Sequence, residues 1–246
     1  MAKSFGHGLG IVPALDVDSA DQLDRVVRET CRLEGVAGYK IGLTSVLRAG
    51  LSASVLRLRE MTDLPLLYDH QKAGPDMPDM ATKFTALCKE AGVDGLILFP
   101  VAGPTAVDRF VGEAIKADLI PVVGGEIPVA DYTIAGGGYM KGDTLSLIMK
   151  RAAKEGANHF VLPARDDAKI AQWTQWIAES VPGSSVFLTG FGALGGSIKE
   201  AFAAASPCPN AFAIVGRLIT ESKKPGDAAR RLYDELQSSR TSQSVS

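Results

Sequence analysis

The run Leu66-Leu67-Tyr68-Asp69-His70-Gln71-Lys72-Ala73-Gly74-Pro75-Asp76 brackets one lysine with two carboxylates where an apolar stretch gives way to a turn. Opposed charges packed this closely shift one another's protonation, so the segment is a coupled electrostatic site. It can hold an ammonium group ready as a proton donor beside a carboxylate that repels an anionic substrate. That combination suits decarboxylation without metal or organic cofactor.

Other residues extend this chemistry. Lys40 interrupts the apolar run Tyr39-Lys40-Ile41, and a lone core lysine costs several kcal/mol unless it is paired. Its natural partner is Asp69, either as a structural pair or as part of a site. Asp16, closing Ala14-Leu15-Asp16, could hydrogen-bond substrate hydroxyls or cap the next turn. The segment Thr189-Gly190-Phe191-Gly192-Ala193-Leu194-Gly195-Gly196 leads into a helical pattern, and Val215-Gly216-Arg217 follows downstream. Glycines allow tight turns, N–H groups at a helix start attract anions, and a guanidinium pairs with phosphate oxygens. Gly190, Gly192, Gly195, Gly196, Gly216 and Arg217 are therefore candidate phosphate binders, although the glycine pattern alone could be an ordinary turn. His70 invites a metal or acid–base role, but His7 and His159 are far away in sequence, and a structural histidine is the stronger reading. Trp173 and Trp176 share a helix face and read as packing, while Met61, Met77 and Met80 read as core or interface filler.

The elements that must position these residues are short apolar runs alternating with amphipathic ones. Strands are expected at residues 10–16, 38–41, 64–69, 95–100, 119–124, 159–163, 185–189 and 211–215. Helical patterns occupy 21–33, 80–91, 105–116, 144–155, 168–179, 197–205 and 227–236, and 238–246 is a polar tail expected to fray. Strands separated by helices pair in parallel through right-handed crossovers. Eight such units imply a single α/β domain, a (β/α)8 TIM barrel over 1–246, with an open doubly wound sheet as competitor. In such a barrel the site lies at the C-terminal strand ends, where the charged and glycine-rich elements above all fall. The long irregular stretch 124–142 is either functional or a surface excursion.

Composition narrows the function. A chain of 246 residues, 46% hydrophobic, can bury a large core, and a formal net charge of −2 gives no reason to expect a nucleic-acid or acidic-membrane partner. Three scattered cysteines resemble reduced thiols, not a disulfide framework or zinc site. No apolar run approaches the roughly 20 residues of a membrane span. The N-terminus lacks the apolar core of a signal peptide, so a cytoplasmic location is expected.

From Ala14-Leu15-Asp16 to Ile214-Val215-Gly216-Arg217 the chain resembles the orotidine 5′-phosphate decarboxylase family, particularly its shorter archaeal forms. That family ends its second strand in lysine and carries Asp-x-Lys-x-x-Asp followed by Ile-Pro after its third. Lys40, Asp69, Lys72 and Asp76-Met77-Pro78 look like the same tetrad. The resemblance implies loss of carbon dioxide from orotidine monophosphate to give UMP, with no metal or cofactor. By that resemblance Lys72 protonates C6, Asp69 crowds the departing carboxylate, and Lys40 positions Asp69 and contacts the ribose. It likewise implies a homodimer in which Asp76 reaches the partner's site. Asp16 would bind a ribose hydroxyl, and the glycine turn with Arg217 the phosphate. The spacing departs from the pattern, being Asp-x-x-Lys-x-x-x-Asp. Along a regular strand Asp69 and Lys72 would point to opposite faces, so a bulge or early strand exit is required. Without it His70 would occupy the aspartate's place. Leu194 stands where the family usually has glutamine, Met80 where it often has threonine, and 126–129 lacks the family's base-reading Ser or Thr. Two alternatives remain: a magnesium-dependent sugar-phosphate enzyme of the same superfamily, and a catalytically silent barrel that binds nucleotides or phosphosugars.

Overall fold

The computed structural model describes residues 3–73 and 77–241, with the side chains at 71–73, 193, 240 and 241 outside that description. Eight parallel strands follow one another around a closed barrel: β1 (Leu9–Leu15), β2 (Tyr39–Ile41), β3 (Leu66–Ala73), β4 (Gly95–Leu98), β5 (Ile120–Val123), β6 (His159–Pro163), β7 (Ser185–Thr189) and β8 (Asn210–Val215). The ring shuts where β1 pairs with β8, from Leu9↔Ala211 to Pro13↔Val215, which excludes the open sheet.

Ten α-helices surround the strands among the described residues: α1 (Ala20–Thr30), α2 (Leu43–Ala49), α3 (Leu51–Arg59), α4 (Ala81–Ala91), α5 (Pro104–Lys116), α6 (Thr144–Lys154), α7 (Asp167–Ser180), α8 (Ile198–Ala204), α9 (Arg217–Thr220) and α10 (Pro225–Thr241). Their sequences explain where they start and which face they bury. The Ser19 hydroxyl accepts from the Gln22 N–H and caps α1, which buries Leu23, Val26, Val27 and Thr30 on one stripe. The Asp166 carboxylate caps α7 in the same way, and Ile170, Trp173, Thr174 and Ile177 face the barrel.

Side-chain alternation divides the core in two. Ile11 and Leu15 of β1 face the helices, whereas Val12 and Ala14 join Leu67, Ile97, Val122, Val161, Phe187, Phe212 and Ile214 inside the barrel. At the N-terminal end of the barrel the Phe187 ring lies 5.0 Å from Phe212 and 5.1 Å from Phe5, which plugs the opening from outside. Gly38 leaves the space: a Cβ there would sit 2.6 Å from the Phe5 ring.

Several elements differ from expectation. The stretch between β2 and β3 holds two helices, α2 and α3, separated at Gly50 with φ +83°. Helix α10 runs to Thr241 with Ser239 buried, so the expected fraying does not begin at 238; residues 242–246 lie outside the described ones. Met77 and Met80 are exposed and do not fill the core of this chain, and Met61 is partly buried. Within 124–142 a 3-10 turn at Ile134–Gly136 and a Thr133–Met140 bridge give the loop its own structure. The three cysteines form no disulfide, and burial pushes the Cys88 thiol up to about 12.

Candidate active site

Register brings the charged residues together. Ala14 pairs with Lys40 across β1 and β2, and Lys40 with Leu67 across β2 and β3. Asp16 and Asp69 each follow an inward-facing residue by two positions, so both return to the barrel interior beside Lys40. The Lys40 ammonium donates to Asp16 Oδ2 at 2.7 Å and to Asp69 Oδ2 at 3.5 Å. The Lys40 and Asp69 side chains are 7% and 4% exposed, while that of Asp16 is 38% exposed and meets the cavity mouth. A buried ammonium between two carboxylates is paired as the interior demands. Asp16 is the closer partner, where the sequence alone suggested Asp69.

The next turn of β3 decides between Asp69 and His70. Tyr68 and His70 lie on the helix-facing side: the Tyr68 hydroxyl hydrogen-bonds His70 Nδ1, and the His70 ring meets Phe84 of α4 at 6.1 Å. Burial, aided by Cys88 and Asp69, pushes the Tyr68 hydroxyl up to about 12. His70 is thus engaged in packing, and Asp69 faces Lys40. Beyond them the pairing moves from Tyr68↔Leu96 to Ala73↔Leu98, five residues of β3 against two of β4. This is the backbone irregularity the stretched spacing required. Lys72 lies within it; its side chain, and all of Asp76, fall outside the described residues.

The charged trio forms one end of a cavity of about 610 Å³. Ile97, Val161 and Ile214 make an apolar floor, and Thr189, Gly190, Phe191 and Leu194 come from the end of β7. Gly216, Arg217, Leu218, Thr220 and Glu221 close the side formed by β8 and α9. Arg217 is exposed and makes no ion pair among the described residues, which leaves its guanidinium available to an anion. Gly192, Gly195 and Gly196 serve the turn itself and do not line the cavity. The Gly195 N–H donates to Gly192 O at 2.8 Å, the Gly196 N–H to Gly190 O at 3.1 Å, and the Gly192 N–H to Gly196 O at 3.3 Å. Gly190, Gly192 and Gly195 all have positive φ, so this turn needs glycine for its shape.

Asp18, Thr220 and Glu221 line the mouth and were not singled out in the sequence. Asp18 could have been found by counting, since it continues the alternation from Asp16. Gln22 ties the two sides of this mouth: its side-chain oxygen accepts from the Asp18 N–H and its amide donates to Thr220 O. On the opposite side Ile127 packs against the inner core, and a Cβ on Gly190 would lie 3.0 Å from Pro128. The loop after β5 thus meets the turn after β7 through apolar atoms. Among the described residues no three His, Cys, Asp or Glu side chains are grouped to hold a metal ion, and no helix is long and apolar enough to cross a membrane.

Comparison with known proteins places the chain in a family. Residues 10–232 match the model of the orotidine 5′-phosphate decarboxylase / HUMPS family. The orotidine 5′-phosphate decarboxylase of Pyrococcus abyssi is 26% identical over 226 residues, covering 92% of this chain and 98% of that protein. That of Methanosarcina acetivorans is 25% identical, with 92% and 94% covered. Among solved structures, the Methanocaldococcus jannaschii orotidine 5′-monophosphate decarboxylase complexed with the inhibitor BMP superposes with a TM-score of 0.76 at 21% identity, covering 94% of this chain and 99% of that one.

Proposed function

The chain belongs to the orotidine 5′-phosphate decarboxylase / HUMPS family, and on that premise we propose that it converts orotidine 5′-phosphate to UMP and carbon dioxide without a cofactor, as a step of de novo pyrimidine biosynthesis in the cytoplasm. The observation that carries the reading is the Lys40 ammonium held between Asp16 and Asp69 above an apolar floor. Arg217 takes the phosphate at the open end of the cavity and Asp16 a ribose hydroxyl, which directs the substrate carboxylate toward Asp69. Binding energy from the remote phosphate offsets the repulsion between that carboxylate and Asp69. The bond from C6 to the carboxylate breaks, its electron pair stays on C6, and the Lys72 ammonium delivers the proton there as carbon dioxide leaves. Lys40 holds Asp69 in place through this step. Asp76 completes the site of a second subunit in a homodimer, and Met77 and Met80, which follow it in sequence, are exposed.

A second reading has its own support. Leu194 stands where the family's phosphate loop usually carries glutamine, and Pro128 lies in the stretch that lacks the base-reading Ser or Thr, which favours a barrel that binds nucleotides or phosphosugars without turnover. Turnover of orotidine monophosphate by purified wild type and Lys72→Ala, each with and without EDTA, decides among the readings. We expect wild-type activity that survives chelation and falls about 10²–10⁴-fold in Lys72→Ala, the usual worth of a positioned proton donor. Tight UMP binding with no turnover by either protein establishes the silent barrel; activity abolished by EDTA overturns the cofactor-free decarboxylase.

A further inference from the structure

Gly42 immediately follows β2, and its own backbone does not need to be glycine. Its φ of −96° and ψ of 172° are extended values that any residue adopts. What the position cannot hold is a side chain. A Cβ built on Gly42 would lie 1.3 Å from Asp16 Oδ1 and 2.5 Å from its Cγ. The carboxylate therefore occupies the volume of the missing methyl while its other oxygen accepts from Lys40 at 2.7 Å.

The surroundings determine what would give way if that methyl were present. The Val46 N–H donates to Gly42 O at 3.4 Å as α2 begins, and the buried Ser45 hydroxyl donates to Leu15 O at 2.6 Å, tying α2 to the end of β1. The backbone is held on both sides. Asp16 is a short side chain open to the cavity mouth, and it is free to rotate outward. Other close-packed glycines differ, because the obstructing atoms include main-chain carbonyls, that of Ile120 in β5 at Gly95 and those of Ala164 and Gly190 at Gly196.

We infer that Gly42 is a positioning residue: its bare Cα seats the Asp16 carboxylate on Lys40, and any side chain there unseats it while Lys40 keeps Asp69 as its partner. The kinetic consequence rests on the decarboxylase reading above; the structural one does not.

The test compares Gly42→Ala, Asp16→Ala and the double variant in crystal structure, thermal unfolding and turnover of orotidine monophosphate. In Gly42→Ala the Asp16–Lys40 contact opens beyond the 4 Å limit of an ion pair, and the unfolding midpoint falls no further than in Asp16→Ala, since Lys40 keeps Asp69 in both. Each single variant loses about 10- to 100-fold in kcat/KM, the worth of one hydrogen bond to a charged group. The double variant is no worse than Asp16→Ala, because both changes remove the same contact. The inference is overturned if Asp16 stays on Lys40 in Gly42→Ala, if the two losses multiply, or if Gly42→Ala fails to fold while Asp16→Ala folds. Absence of turnover in the wild type would instead overturn the decarboxylase reading, and the Asp16 position in the Gly42→Ala crystal would still decide the role of Gly42.

Discussion

The two ends of the barrel use the same strands for opposite purposes. At the N-terminal end Phe5, Phe187 and Phe212 bring their rings within 5.0 to 5.9 Å of one another, and glycine at 38 removes the atoms that would collide with Phe5. At the C-terminal end the strands carry charge, and a cavity of about 610 Å³ lies above an apolar floor. Aromatic packing supplies stability where no ligand enters, and that stability allows a lysine and two carboxylates to be held together where one does. Glycine shows the contrast most sharply. Gly38 makes room for a ring of the core, Gly42 for a carboxylate of the site.

If the ends are separate in this way, changes at one should leave the other's signature intact. The largest effect is expected from Phe187→Ala. Emptying the aromatic plug should cost about 3–5 kcal/mol in denaturant unfolding while kcat/KM, measured well below the unfolding midpoint, stays within about twofold. A collapse of turnover in the still-folded protein would break the comparison. Next comes Lys40→Met, which keeps the apolar stem and deletes the ammonium. Decarboxylation should fall by about 10²–10³-fold, the scale for losing one preorganised electrostatic contact; activity near wild type would show that the charged end does not do the chemistry.

The smallest effect concerns pH. Burial lowers the His159 imidazole to about 4, beside Asn158 and 6.1 Å from the Phe187 ring. The folded chain therefore keeps His159 neutral between its ordinary value near 6.5 and about 4, while the unfolded chain binds a proton there. Stability from this group is complete above pH 6.5 and is lost as pH falls toward 4, with a slope of at most about 1.4 kcal/mol per unit. Urea unfolding of wild type and His159→Gln across that interval measures it. The difference between them should shrink with acidification, and parallel curves would remove His159 from the account.

Much of this was legible in the chain, for identifiable reasons. The strands are short runs of Val, Ile and Leu that need no partner to be recognised. Helices α2 and α3 were not, because the helical register breaks at Gly50 and neither piece spans three full turns. The end of α10 is not legible because composition around 238 is polar, although Leu236 and Ser239 pack inward. In the site, an isolated lysine in an apolar run announced a buried pair. Which carboxylate lies closer depended on the Ala14↔Lys40 register, a property of two strands at once. The glycine turn after β7 suggested N–H groups for an anion, yet its hydrogen bonds close on themselves, and local sequence does not record where an N–H points.

The register shift in β3 also bears on how such a site is inherited. A motif with fixed gaps assumes that each added residue turns the next side chain to the other face. Where five residues of one strand oppose two of its neighbour, that counting rule no longer holds. Insertions can then accumulate between charged residues without reversing the face they serve. Spacing becomes a variable that the backbone absorbs, and searches that require an unvarying Asp-x-Lys gap will pass over barrels built like this one.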